Sequence, residues 1–205
     1  MGALCEKYDV LIVSDEIHCD FSWPGHTHTV FLTLSESVAQ RSILCTAPTK
    51  TFNLAGLQIS NCFIPNPDIR RKFCEEKNRT GYSQCGSMGL VACQAACEQG
   101  EPWLEALKAY IYDNFRYLRE TLQQELPQLH LVEPEGTYLG WIDCSGLGLC
   151  ADELETLIVQ KARLWLDSGA MFGTREAQFQ RINVACPRAV LEQALEQLVA
   201  AVRTW

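Results

Sequence analysis

An apolar run that ends abruptly in charge constrains this chain more than any other feature. "VLIV", residues 10–13, is followed at once by "SDEIHCD", residues 14–20, which places three acids and a histidine within seven positions. So short a run, rich in Val and Ile, predicts a strand over 9–14 that is fully buried. A helix of this polarity would need a longer run with a 3.6-residue period. The polar stretch therefore marks the point where a buried strand leaves its sheet. The pattern recurs twice. "RSILCTA", residues 41–47, is stopped by Pro48 and followed by Thr49 and Lys50, and "LQISNCFIPNP", residues 57–67, closes on a proline turn. Three short apolar strands with sharp polar ends predict an α/β fold around a mixed or parallel sheet.

The chain then changes character. "DIRRKFCEEKNR" predicts a short charged helix with Asp68 as its N-cap. Residues 84–99 alternate small and apolar side chains, as a tightly packed helix would. Residues 101–126 predict a long amphipathic helix, with Pro102 in its first turn and Pro127 as its stop. Trp103, Leu107, Tyr110, Ile111, Phe115, Leu118 and Leu122 fall at helical spacing and predict its core-facing stripe. Beyond Pro127, "LHLVEP" and "GTYLGWIDC" read as strands and "ADELETLIVQKARLWL" as a helix. "FQRINVAC" is a further strand and "RAVLEQALEQLVAAVRTW" a last helix, so the chain ends in a smaller α/β unit.

Charge and composition exclude several functions. The net charge of −8 and pI near 5.0 argue against holding a nucleic-acid backbone. The densest basic run, Arg70-Arg71-Lys72, reads as a solvated helix face. No apolar stretch approaches the ~20 residues that cross a bilayer, so no membrane partner is expected. "MGALCEKYDV" lacks the regions of a signal peptide, and Glu6 stands where N-myristoylation asks for Ser or Thr. A cytoplasmic location follows by elimination. The eleven cysteines include no C-x-x-C pair, and an odd count without a secretion signal argues against a disulfide framework. No metal site is expected. Cys45, Cys62, Cys93 and Cys97 lie in apolar segments and are expected as buried small hydrophobes.

The two polar strand ends carry the chemistry. Sheets of this kind bind ligands beyond the carboxyl ends of their strands. Asp15 and His18 follow the first strand, and Thr46, Thr49 and Lys50 follow the second. A lysine desolvated at a strand end has a lowered pKa and can attack a carbonyl. A lysine, a carboxylate and nearby hydroxyls are what pyridoxal phosphate asks for: a Schiff-base amine, a partner for the ring nitrogen, and donors to the phosphate. Arg181, an arginine inside the strand "FQRIN", is a candidate for bidentate capture of a substrate carboxylate.

In that order, "SDEIHCD", "TAPTKTFNLAGLQ", "EGTYLGWID" and "RINVACPR" resemble the fold-type I pyridoxal-phosphate enzymes, and within them the cystathionine β-lyase and C–S lyase group related to MalY and PatB. The resemblance runs from about residue 5 to the end. It implies that Lys50 carries the cofactor and later takes the α-proton, and that Asp15 pairs with the pyridine nitrogen. It also implies that His18 lies near the cofactor's 3-hydroxyl, that Thr49 touches the phosphate, that Arg181 clamps the substrate carboxylate and that Tyr138 lines the site entrance. The implied reaction is α,β-elimination on cystathionine or a cysteine S-conjugate, giving pyruvate, ammonia and a thiol. An aminotransferase of the same fold and a non-catalytic protein acting through contacts are the alternatives. Many fold-type I aminotransferases carry an arginine eight residues after the lysine. Here that position is Gln58, which favours the lyase group. Members of the group are about twice as long as this chain. The resemblance therefore implies a C-terminal fragment: part of the large cofactor-binding domain over 1–115, including the start of the connecting helix, and the small domain over 116–205. The preceding half would bring a glycine-containing phosphate loop, a ring-stacking aromatic and an Asn. The full-length form would be a homodimer.

Overall fold

A short helix, α1 (Gly2–Lys7), precedes strand β1 (Ile12–Asp15) in the computed structural model, which describes residues 1–82 and 84–205. β1 runs parallel to β2 (Ser42–Thr46), and β2 pairs on its other side with antiparallel β3 (Asn61–Phe63), so the sheet is mixed with order β1-β2-β3. The parallel pair requires a crossover. Here the crossover buries Phe21 and Trp23 and contains helix α2 (Glu36–Ala39), capped by Ser35, whose Oγ accepts from Val38 N at 3.2 Å. Central β2 buries Ser42, Ile43 and Leu44. β1 does not meet the expectation of full burial: Ile12 is buried, but Val13 is 63% exposed. As an edge strand of this sheet it alternates covered and open side chains, the pattern of one buried face.

Helix α3 (Pro48–Thr51) begins as soon as β2 ends, with Pro48 in its first turn. Helix α4 (Pro67–Arg79) is capped by Asn66 and not by Asp68. Asn66 Oδ1 accepts from the backbone N of Asp68 and Ile69 at 2.9 and 3.2 Å. Pro67 fixes the first helical position, so the cap falls on the residue before it. Helix α5 (Ser87–Gln99) is less packed than its sequence suggests, with Met88, Leu90 and Val91 exposed. Its buried residue is Gly89, where a Cβ would come 2.9 Å from the Leu57 carbonyl oxygen. Of the four cysteines expected to be buried, Cys45 and Cys93 are half-buried and Cys62 and Cys97 exposed, whereas Cys144 is the buried one. No helix among the described residues is long and apolar enough to cross a membrane.

The chain divides into two compact units, Met1–Glu105 and Ala106–Trp205, with the division inside helix α6 (Glu101–Glu125). The second unit has an antiparallel sheet of order β4-β5-β7-β6, formed by β4 (His130–Val132), β5 (Leu139–Asp143), β6 (Asp167–Ser168) and β7 (Phe179–Asn183). Helix α7 (Ala151–Glu155) continues as a π-helical turn over Thr156–Lys161, and α8 (Arg188–Arg203) closes the chain. The helix expected to run to residue 166 ends early because Arg163 takes a left-handed φ of 57°. That frees Asp167 and Ser168 to form β6, too short a strand to leave a sequence pattern.

The core of this unit joins Ile111, Phe115, Leu118 and Leu122 of α6 to Ile142, Ile182, Leu191 and Leu195. The predicted stripe holds from Ile111 onward, while Trp103 and Tyr110 are half exposed. Trp103 instead stacks on Phe52, with ring centroids 5.6 Å apart.

One polar residue sits among these apolar ones. Asn114 is fully buried, and its amide nitrogen donates to the carbonyls of Val184 and Cys186, at 2.9 Å each. Its oxygen accepts from Arg188 Nε at 2.8 Å. The turn between β7 and α8 thus has its backbone acceptors satisfied by a helix side chain. Replacing that side chain leaves two carbonyls unpaired. Asn114→Ala is expected to lower the stability of the unit by about 2–4 kcal/mol in urea unfolding. Glu120→Ala, on the exposed side of the same helix, is expected to change it by less than about 0.5 kcal/mol.

Candidate active site

The parallel β1–β2 register places Asp15 opposite Cys45, so the carboxyl ends of the two strands lie side by side. The polar stretch 14–20 leaves β1 there, and Lys50 follows β2 within α3. Asp15 is exposed, and its Oδ1 accepts from Ile17 N at 3.3 Å. His18 is half-buried, Thr46 and Thr49 are half-buried, and Lys50 is exposed. The desolvation expected of Lys50 is therefore not met by the atoms of this chain.

Two other acids of the stretch hold the loops in place. Glu16 is buried, and its carboxylate accepts from Ser14 Oγ and Phe31 N at 2.9 Å and lies 2.7 Å from His28 Nε2. Burial pushes this carboxyl up, but the hydrogen bonds of His28, Phe31 and Ser14 outweigh it and leave its pKa below the ordinary value. Asp20 accepts from Thr51 Oγ1 at 2.6 Å, which ties the end of the β1 stretch to the residue after Lys50. The thiol of Cys19 is pushed up to about 11 by burial and by the Asp20 charge beside it. It stays protonated at neutral pH and offers no competing nucleophile.

Sequence reasoning singled out Asp15 and His18 and missed Glu16 and Asp20. The signal for both was indirect: a second histidine in the loop "GHTH" and a threonine next to the lysine. Backbone strain also gathers after Lys50, where Asn53 and Gln58 hold φ of 55° and 50°. Gln58 terminates the 3-10 turn Ala55–Leu57. Non-glycine residues in this region cost of order 1–3 kcal/mol and cluster where geometry serves function.

The second unit holds Arg181 and Tyr138. Arg181, on β7, is paired in register with Trp141 of β5 and Asp167 of β6. Its Nε and Nη2 donate to Asp167 Oδ2 at 2.9 and 2.7 Å, and the ring of Phe172 lies 4.8 Å from the guanidinium carbon. One edge of the guanidinium is pinned and its face is covered. Its Nη1 side remains for a second carboxylate. Asp167 and Phe172 were not foreseen, since β6 was not. Tyr138 is half-buried; burial raises its hydroxyl pKa and keeps it neutral. The residue before it, Thr137, is β-branched and yet holds φ of 57°.

The residues present suit pyridoxal phosphate. An exposed carboxylate ends β1, an exposed amine follows the parallel β2, and a threonine precedes the amine in sequence. The fold is an α/β one, and this donor set matches what that cofactor asks for.

Comparison with known proteins gives a family. Residues 1–198 match the family Aminotransferase class I and II. The chain is 38% identical over 201 residues to cystathionine beta-lyase PatB of Bacillus subtilis, covering 98% of this chain and 52% of PatB. Cystalysin of Treponema denticola, whose structure contains pyridoxal 5'-phosphate, superposes with a TM-score of 0.93 at 36% identity, over 99% of this chain and 52% of that one. The PLP-bound C–S lyase of Staphylococcus hominis gives 0.86 at 33% identity, over 98% and 49%.

The chain belongs to the aminotransferase class I and II family. Within it, the chain is a relative of the C–S lyases, and it spans about half the length of the curated relatives it matches.

The Glu16 cluster gives a pH signature. Because the folded carboxyl is lowered, its contribution to stability is complete above the ordinary value near 4.5 and is lost as pH falls through the folded value. Glu16→Gln is therefore expected to be less stable than wild type at pH 7. The gap between the two urea midpoints is expected to narrow steadily below pH 4.5. A gap that is constant with pH would show that the ionised form adds nothing.

Proposed function

We propose that this chain forms part of a pyridoxal-phosphate-dependent C–S β-lyase, acting on cystathionine or other cysteine S-conjugates. The observation that carries this reading is that β1, which Asp15 ends, and β2, which Lys50 follows, are parallel neighbours, with Gln58 eight residues beyond the lysine. Residues 1–115 would belong to the cofactor-binding domain and 116–205 to the small domain. The full-length protein would be a homodimer.

Bound pyridoxal phosphate would supply an electron sink for the charge left when the α-proton departs. Lys50 Nζ would hold the cofactor and take that proton. Asp15 keeps the pyridine nitrogen protonated, which its exposed, lightly bonded carboxylate is free to do. Thr49 Oγ1 would donate to the phosphate, and His18 would serve the 3-hydroxyl. Arg181, held by Asp167 along one edge, takes the substrate carboxylate with the other. Tyr138, neutral, lines the entrance. The chemistry these residues would serve is an α,β-elimination, in which the α-carbon would lose its proton to Lys50 and the β-carbon its thiolate. The expected products besides the thiol would be pyruvate and ammonia.

The test begins with cofactor attachment. The chain is incubated with pyridoxal phosphate, reduced with borohydride, digested and mapped. The pyridoxyl group is expected on Lys50 and not on the other five lysines. Labelling spread evenly over the six would sink the reading. Where pyruvate is released from cystathionine, Lys50→Ala is expected to lower the rate at least about a hundredfold. Retention of the amino group on the cofactor with release of a 2-oxo acid would instead identify an aminotransferase.

A further inference from the structure

Asp15, Cys45 and Cys62 are register partners across β1, β2 and β3, so their side chains stand in a row on one face of the sheet. The hydrogen-bonding direction along β2 decides what the last two can do. The Cys45 carbonyl accepts from Glu16 N at 2.8 Å, and the Arg41 carbonyl accepts from Ile12 N at 2.9 Å. Odd-numbered residues of β2 therefore direct their backbone groups toward β1, and even-numbered ones toward β3. It follows that Cys45 and Cys62 face each other as a non-hydrogen-bonded antiparallel pair. In such pairs the Cα atoms are about 4.5 Å apart and the side chains are at their closest. That separation lies at the short end of the roughly 4.4–6.8 Å range in which disulfides form. Both cysteines are free thiols, Cys62 exposed and Cys45 half-buried.

We propose that Cys45 and Cys62 are a modification site: a cross-strand dithiol that low-molecular-weight disulfides oxidise to an intrachain disulfide. The exposed Cys62 thiolate attacks the small disulfide, forming a mixed disulfide and releasing one small thiol. Cys45 then attacks the Cys62 sulfur and releases the second. Two protein thiols become one disulfide, the small disulfide is reduced to two thiols, and the two protons leave with them. Burial, the Cys62 thiol and the Asp15 charge all raise the pKa of Cys45, which suits it to the second, resolving role and not the first. The inference rests on the strand ladder alone and does not depend on the proposed activity. Its position matters to that activity all the same, because the oxidised pair adjoins the carboxylate of Asp15.

Cys93 and Cys97 provide an internal contrast. They are four residues apart on α5, where Cβ atoms are about 5–6 Å apart. A disulfide needs roughly 3.5–4.5 Å, so this pair cannot close without unwinding a turn.

The folded chain is treated with glutathione disulfide, its remaining thiols are alkylated, and it is digested with trypsin. The expected product joins the peptide Ser42–Lys50 to Thr51–Arg70, two hydrogens lighter than their sum. Cys45→Ser is expected to abolish the linked peptide and to accumulate glutathione on Cys62, and Cys97→Ser to leave the linkage unchanged. In urea the preference for this pair among the eleven cysteines is expected to disappear. The proposal is overturned if the folded wild type keeps glutathione on Cys62 with Cys45 alkylated. It is also overturned if Cys45 links to another cysteine, or if the same linkage forms equally well in urea.

Discussion

The parallel pairing of β1 with β2 is the constraint on which the first unit depends. Parallel neighbours align their carboxyl ends, so whatever follows each strand is delivered to the same edge of the sheet. Asp15 arrives there from one strand and Lys50 from the next. The register tolerates no adjustment, because a slip of one residue would turn Asp15 to the opposite face from Cys45. The crossover that makes the pairing possible is fastened by polar contacts near its start. Glu16 gathers Ser14, His28 and the Phe31 amide, and Asp20 binds Thr51. The acids of residues 14–20 thus divide the labour, with Glu16 and Asp20 holding the backbone that presents Asp15.

The second unit solves a related problem with antiparallel strands. Arg181 is a charged side chain on an inner strand of its sheet, and it is oriented by Asp167 one strand away and by the face of Phe172. A guanidinium fixed along one edge has its remaining donors pointed in a set direction, so less freedom is lost when a carboxylate meets them. Below it, Asn114 closes the exit of β7 from inside the core. The unit therefore supports its arginine from the sheet and its turn from the helix.

The fold class was legible because the apolar runs were short and their ends abrupt, which is how strands of an α/β sheet read. Family membership was legible because four motifs kept a common order. What the sequence hid was partnership at a distance. Nothing in the local pattern of "SDEIHCD" separates Glu16, which is buried by residues twelve and fifteen positions later, from Asp15, which is not. β6 is two residues long and exists because Arg163 breaks a helix that periodicity would have continued. Apolar content also overstated burial at Val13, Leu90 and Val91, since periodicity shows which side of an element is apolar and not what covers it.

The left-handed residues carry an evolutionary consequence. Asn53, Gln58 and Thr137 each occupy a backbone region that glycine enters without penalty, yet none of them is glycine. Glycine at these positions would ease the backbone of the folded state and at the same time raise the entropy of the unfolded chain, so the two effects oppose each other. Asn53 and Gln58 follow Lys50 in sequence, and Thr137 precedes Tyr138. Selection for stability and selection for the neighbouring side chains therefore need not favour the same residue at these three backbone angles.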